Sequence, residues 1–193
     1  GSPPAARARA RARARQHPHP PAPTILVVHR STTRRITNEA TLLAALDAWA
    51  RPRGGAARAV VWEEIVLAQV VAAVRGPPWV AIVGVDGTGL LNAVWARAGC
   101  GMLVRLAPAG TAALLPNKGV NFDRVAALTA GGARVWEDDK GERGGGARGK
   151  NLTASSPAAD RFLYVTRQDV GVDVGAVVRL VGEGWARRVN YGE

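Results

Sequence analysis

The chain has 193 residues, of which 47% are hydrophobic, and a formal net charge of +11. This length predicts one domain with a real core, built largely from alanine and valine. Cys100 is the only cysteine, which excludes an intrachain disulfide and a cysteine-based metal site. No run of about 18 apolar residues occurs, so the sequence predicts no transmembrane helix.

The first 23 residues are rich in proline and arginine and are predicted to form a disordered or extended arm. Without the five arginines that alternate with alanine here, the net charge falls from +11 to +6. The arm could hold RNA, DNA or an anionic membrane through phosphate contacts, or be a solvated low-complexity tail. It lacks the apolar segment of a signal peptide, and the Gly-Ser start without methionine suggests a fragment of a longer protein.

Four apolar runs follow, and their continuous hydrophobicity is typical of buried parallel strands. They cover Thr24–His29, 59–62, Trp79–Val85 and 102–106. Helical patterns separate them, and strands that alternate with helices predict an α/β domain. We therefore expect a Rossmann-like parallel sheet over residues 24–193.

The first helical pattern follows Asn38, a predicted N-cap, and has Glu39 in its first turn, where the helix dipole favours an anion. The segment 51–58 is predicted to break this helix, and further helices are predicted over about 65–75 and near 88–97. A last amphipathic helix is predicted over 174–187. The predicted core-facing residues of the first and last helices are Leu42, Leu43, Leu46, Trp49, Val177, Val178, Val181 and Trp185.

Residues 107–136 carry mixed helix and strand signals. Residues 140–150 are rich in glycine and charge and are predicted to be a flexible insertion. Asp138 and Asp139 are predicted to lie in a surface loop. Asn151 begins a glycosylation sequon, which matters only in a secretory lumen.

Three arginines, Arg30, Arg34 and Arg35, lie between the first predicted strand and the first predicted helix. The carboxyl end of a strand in an α/β sheet is where ligands bind. Like charges this close repel unless an anion or an acidic partner offsets them, and a diphosphate suits guanidinium groups. The cluster is either a phosphate site or a solvated basic loop.

A glycine-rich turn, Gly84-Val85-Asp86-Gly87-Thr88-Gly89, links the third predicted strand to a helix. Its glycines occupy relative positions 1, 4 and 6, whereas the dinucleotide fingerprint needs 1, 3 and 6, so NAD and FAD are not predicted. Close approach of the backbone to another ligand remains possible. Asn92, one turn into the helix, could point toward that ligand or pack against the helix.

Glu63 and Glu64 follow the second predicted strand. Carboxylates at that edge suit a ribose or sugar contact, but they are also ordinary residues at a helix N-terminus. No Ser-His-Asp order, zinc spacing or P-loop is present.

Three segments resemble glycosyltransferase family 61. HRSTTRRITNEATLL is similar to the family's R-x-x-x-R-R-x-x-N-E segment, and VGVDGTGLLNAVWARAGCGMLVRLAP is similar to its V-G-x-H-G-A-G-L-T-N segment and the strand after it. RFLYVTRQDVGVDVGAVV resembles its C-terminal signature through Tyr164, Gln168, Asp169, Val170 and Asp173. The segments occur in the family's order and cover about residues 24–107 and 161–186.

The resemblance implies the C-terminal, donor-binding half of an inverting GT-B glycosyltransferase of the Golgi or endoplasmic reticulum lumen. It would transfer a sugar from a UDP-sugar to a protein or glycan acceptor, without a cofactor or metal. The missing N-terminal half would bind the acceptor and could hold the general base, which cannot be assigned here. The implied donor-binding residues are Arg30, Arg34, Arg35, Asn38, Glu63, Glu64, Gly84, Asp86, Gly87, Thr88, Gly89 and Asn92.

The sequence departs from the family at Asp86, where the family has histidine. The resemblance implies that this anion faces the phosphates or the sugar. Two other functions therefore stay open: a nucleotide-sugar-binding remnant without transferase activity, and nucleic-acid association through the basic arm. No sequence-specific nucleic-acid partner is expected.

Overall fold

A computed structural model of the chain describes residues 22–77, 79–96, 101–108, 110–114, 120–129, 132–137, 155–159 and 167–191. The greater part of the predicted arm lies outside these residues. The predicted loop at Asp138 and Asp139, the predicted insertion at 140–150, the sequon at Asn151 and Tyr164 of the C-terminal signature also lie outside them.

Five parallel strands form one sheet in the order β2-β1-β3-β4-β5. Every residue of the inner strands β3 and β4 is buried, whereas the edge strands β2 and β5 consist of half-buried and exposed residues. Burial on both faces explains why the inner strands are continuous apolar runs. The predicted α/β class and parallel sheet are confirmed. The strands are β1 (Thr24–His29), β2 (Ala56–Val61), β3 (Trp79–Val85), β4 (Met102–Ala107) and β5 (Ala133–Glu137).

Helices cover both faces of the sheet. Those described are α1 (Glu39–Ala50), α2 (Leu67–Arg75), α3 (Thr111–Leu114), α4 (Val120–Thr129) and α5 (Val174–Tyr191), with 3₁₀ helices at Arg51–Arg53, Trp62–Glu64 and Thr88–Trp95. The apolar residues of α1 and α5 share one core cluster with one face of the sheet. Those of α2, the 3₁₀ helix Thr88–Trp95 and α4 share a second cluster with the opposite face.

The strand order reverses between β1 and β3, and we call the space at the carboxyl ends of these two strands the crevice. The chain leaves β1 for α1 on one face and leaves β3 for the 3₁₀ helix Thr88–Trp95 on the other. Such a reversal between neighbouring strands is a topological switch point, the usual ligand site of a doubly wound sheet. The fold therefore places the loops after β1 and β3 on either side of this crevice.

The predicted core faces of α1 and α5 are confirmed. Leu42, Leu46, Val177 and Val181 are buried, and the other four predicted residues are half-buried against the same core. The helix α5 extends to Tyr191 and is therefore longer than predicted.

The second strand begins earlier than predicted. Its first residue, Ala56, donates its N–H to the carbonyl of Pro23, and Ala57 donates its N–H to Oδ1 of Asp47. Gly54, at φ +75°, turns the chain sharply enough for pairing to start there. The predicted break of the first helix is confirmed, since α1 ends at Ala50. The predicted bounds of the strand, 59–62, were wrong at both ends, because it begins at Ala56 and ends before Trp62.

Two further segments differ from the predictions. The helix near 88–97 is a 3₁₀ helix that ends at Trp95. The mixed signals over 107–136 resolve into α3, α4 and a fifth strand, β5, which pairs with β4. This strand was not predicted because it is short, lies at the sheet edge and carries charged residues at Arg134 and Glu137.

Candidate functional site

Arg30 forms an ion pair with Glu63, another of the predicted site residues. Its Nε donates to Oε1 of Glu63 at 2.8 Å, which joins the loop after β1 to the end of β2. Burial raises the pKa of Glu63, but hydrogen bonds from Arg30 and from backbone N–H groups, with the Arg30 charge, bring it below its ordinary value. The Glu63 carboxylate therefore stays ionised at neutral pH.

Arg34 lies across the switch point. Its Nη1 donates to the backbone carbonyl of Asp86 at 2.8 Å, and a Cβ on Gly87 would stand 2.6 Å from the same nitrogen. Its backbone is left-handed, at φ +56°, which costs about 1–2 kcal/mol for a residue with a side chain. Such a conformation persists only where surrounding contacts impose it.

The Arg34 guanidinium is a half-buried cation. Its Nε is buried and has no hydrogen-bond partner, and no carboxylate of the described residues forms a salt bridge with it. Burial and the nearby Arg30 charge lower the pKa of Arg34, opposed by the charges of Asp86 and Glu63. A bound anion would supply the opposite charge that this guanidinium lacks.

Arg35 forms an ion pair with Asp169. Its Nη2 and Nε donate to Oδ2 of Asp169 at 2.8 and 3.2 Å, and its backbone N–H donates to Oδ1 at 2.8 Å. Burial raises the pKa of Asp169, but these hydrogen bonds and the Arg35 charge bring it below its ordinary value. Acidic partners thus offset Arg30 and Arg35, and the predicted three-arginine cluster is not aimed at one point.

Asn38 and Glu39 both contact protein groups at the start of α1. Asn38 occupies the N-cap position but makes no side-chain cap bond; its amide donates to the Val172 carbonyl and accepts from the Val172 N–H. The carboxylate of Glu39 lies against Nδ1 of His29. Burial raises the pKa of Glu39, opposed by the His29 charge. Asn38 is thus the N-cap residue, as predicted, but its side chain bonds to Val172 instead of to a helix N–H.

The glycines of the turn after β3 leave room for protein side chains. A Cβ on Gly84 would stand 2.9 Å from Cβ of Val28 and 3.1 Å from Cδ1 of Leu90. Gly84 is therefore a packing glycine between strands and helix. At Gly87 and Gly89 the neighbours are again side chains. At all three glycines, protein atoms therefore fill the space in which a ligand was expected to approach the backbone.

Asp86 is fully buried and faces Arg105 of β4. Nη2 of Arg105 donates to Oδ2 of Asp86 at 2.9 Å, and the Arg105 guanidinium lies 4.4 Å from the ring centroid of Phe122. This anion was expected to face phosphates or a sugar; in the structure its carboxylate faces Arg105, which offsets the buried charge. Sequence reasoning missed Arg105, although a charge inside the apolar run MLVRLA signals a buried partner.

Trp62 is a second residue that sequence reasoning missed. It begins the 3₁₀ helix after β2, and its ring lies so close to the same turn that a Cβ on Gly89 would stand 3.0 Å from Cδ1. Its indole Nε1 is buried and has no hydrogen-bond partner. Within the described part of the chain, Nε1 of Trp62 and Nε of Arg34 are thus buried donors without acceptors, on side chains that lie beside Gly89 and Gly87.

The remaining predicted site residues are less informative. Glu64 is exposed, Asn92 is half-buried, and Thr88 begins the 3₁₀ helix beside the crevice. Gln168, which belongs to the C-terminal signature, is buried, and its amide Nε2 has no hydrogen-bond partner.

No model of a known protein family matches this sequence, and no curated protein matches it. Within the described ranges, no helix is both long and apolar enough to cross a membrane. The same part of the chain has no group of three His, Cys, Asp or Glu side chains that could hold a metal ion. The geometry of the crevice is therefore the basis for a functional conclusion.

Proposed function

We propose that this chain binds a UDP-sugar in the crevice at the carboxyl ends of β1 and β3, as the donor-binding half of an inverting GT-B glycosyltransferase. The parallel sheet and its switch point support this, because doubly wound sheets bind nucleotides there. The resemblance of the loops after β1 and β3 to glycosyltransferase family 61 supplies the donor class.

The observation that carries the proposal is the guanidinium of Arg34. It is a half-buried cation at the switch point, and its Nε lacks a hydrogen-bond partner. Burying a charge without a partner costs free energy, which a bound anion offsets. Diphosphate oxygens accept guanidinium N–H groups well, and the free indole N–H of Trp62 is a second donor beside the same turn.

Arg34 would also serve the transfer step. As the acceptor hydroxyl forms a bond to the anomeric carbon, the bond from that carbon to the diphosphate breaks and negative charge develops on the leaving UDP. A fixed guanidinium at this position stabilises that charge more than it stabilises the intact donor. The acceptor site and the general base belong, on this proposal, to the N-terminal half.

A donor-binding protein without transferase activity is the second candidate, and Asp86 favours it. Its carboxylate is buried against Arg105, so it cannot replace the family histidine as a ligand contact. Binding of UDP without release of UDP from UDP-sugars, measured with the N-terminal half present, is the result expected of such a protein.

Calorimetric titration of the full chain with UDP tests donor binding, which both candidates share. We expect saturable binding at micromolar to low-millimolar affinity that a chelator does not change. Uridine, which lacks the diphosphate, is the matched ligand control and should bind at least about tenfold more weakly, since charged hydrogen bonds contribute about 1.5–3 kcal/mol. Equal affinity for uridine and UDP, or no binding of UDP by folded protein, would contradict the proposal.

A further inference from the structure

The segment 168–173, which we call the strap, runs beside the loop that carries the arginines. Ile36 and Val170 form a parallel β-bridge. The N–H of Thr37 donates to the Val170 carbonyl at 2.9 Å, and the N–H of Val170 donates to the Arg35 carbonyl at 2.8 Å. The strap therefore pairs with this loop through backbone hydrogen bonds, as a neighbouring parallel strand would.

Side chains reinforce the same contact on both sides of the bridge. Asp169 accepts the side-chain and backbone N–H groups of Arg35, and Asn38 makes two hydrogen bonds to the backbone of Val172. Val170 and Val172 are buried in the core cluster that includes α5. The strap is thus anchored in the same core cluster that buries Ile36 of the loop, and hydrogen bonds join the two segments.

Arg34 directly precedes the residue that Asp169 holds. Its left-handed backbone would be unfavourable in a free loop, so contacts on either side must impose it. One of these is its own bond to the Asp86 carbonyl, and the other is the fixed position of Arg35. Asp169 supplies the side-chain hydrogen bonds that hold Arg35, in addition to the backbone bonds of Val170 and the buried side chain of Ile36.

We infer that Asp169 is a positioning residue for the donor site: by holding Arg35 it fixes the guanidinium of Arg34 over Gly87. This inference rests on the proposed function, because Arg34 is the diphosphate ligand in it. Arg35 then anchors the loop and does not contact the diphosphate, contrary to the role that the family resemblance implies.

A double-mutant cycle in the full chain separates these roles. The affinity for UDP should fall about tenfold in Asp169→Ala, which also removes the acceptor of the Arg35 backbone N–H. Arg35→Ala should lose no more than that, and the double variant no more than Asp169→Ala, because Asp169→Ala already removes every bond between the two residues. Arg51→Ala, which breaks the exposed Arg51–Asp47 pair, is the matched control and should bind like the unaltered chain. Asp169→Asn keeps an acceptor for the Arg35 N–H and should recover part of the loss.

Two results would overturn the inference. If Arg35→Ala weakens binding far more than Asp169→Ala, and the double variant adds both losses, Arg35 contacts the ligand and the inference is overturned. Unchanged affinity in Asp169→Ala overturns it as well.

A measurement without ligand distinguishes failure of this inference from failure of the proposed function. In ¹⁵N spectra of the free protein, Asp169→Ala should shift the Nε–H resonance of Arg34, whereas Arg51→Ala should not. A shift in a protein that binds no UDP keeps the positioning role and rejects the donor site. An unmoved Arg34 resonance rejects the positioning role whatever UDP does.

Discussion

Replacing Asp86 with alanine should lower the free energy of unfolding by about 3–5 kcal/mol, the usual cost of removing one partner from a buried ion pair. The variant would leave the Arg105 guanidinium, which is 5% exposed, without its carboxylate. The Arg105 guanidinium would still stack on Phe122, but an aromatic ring stabilises a buried cation less than a carboxylate does. Urea denaturation followed by circular dichroism measures the difference.

Two further variants make this result specific. Asp86→Ala combined with Arg105→Met removes both charges and should recover most of the lost stability, since apolar pairs often replace buried ion pairs at little cost. Asp86→His, which installs the family residue, should also destabilise the protein and should not improve UDP binding. A loss below about 1 kcal/mol in Asp86→Ala, the range of exposed pairs, would show that the pair is not buried in solution.

Replacing Arg34 with alanine should weaken UDP binding by at least about tenfold, because a hydrogen bond to a charged group contributes about 1.5–3 kcal/mol. Arg58→Ala is the matched control, since Arg58 is an exposed arginine on the edge strand β2 and its loss changes the net charge equally. Calorimetric titration of both variants gives the comparison. Equal losses in the two variants would mean that UDP responds to net charge and not to this site.

Gly87→Ala tests the same site without removing a charge. Gly87 has an extended backbone, at φ −179°, so alanine is tolerated, but the added Cβ would stand 2.6 Å from Nη1 of Arg34. The flexible end of the arginine can move aside, so we expect nearly unchanged stability and weakened UDP binding. Unchanged affinity in Gly87→Ala would show that the observed guanidinium position does not matter for the ligand.

The strands were largely predictable because burial on both faces leaves a continuous apolar run. Two of them, Thr24–His29 and Trp79–Val85, have the predicted bounds. The start of β2 was not predictable, because Ala56 and Ala57 pair through backbone contacts to Pro23 and Asp47 that no local pattern records. The edge strand β5 carries too few apolar residues to be recognised.

The location of the candidate site was predictable, but the partners of its residues were not. The arginines and the glycine turn flank the carboxyl ends of β1 and β3, as strand order requires. Glu63 is 33 residues from Arg30, however, and Asp169 is 134 residues from Arg35. Only tertiary structure reveals which guanidinium lacks a carboxylate.

The most direct test of the donor site follows the side-chain Nε–H resonances of Arg30, Arg34 and Arg35 while UDP is added to the ¹⁵N-labelled full chain. If the diphosphate binds where proposed, the Arg34 resonance should shift saturably and further than the other two, because its Nε has no partner in the free protein. Shifts of Arg30 or Arg35 with Arg34 unmoved, or no shift at saturating UDP, would contradict the account.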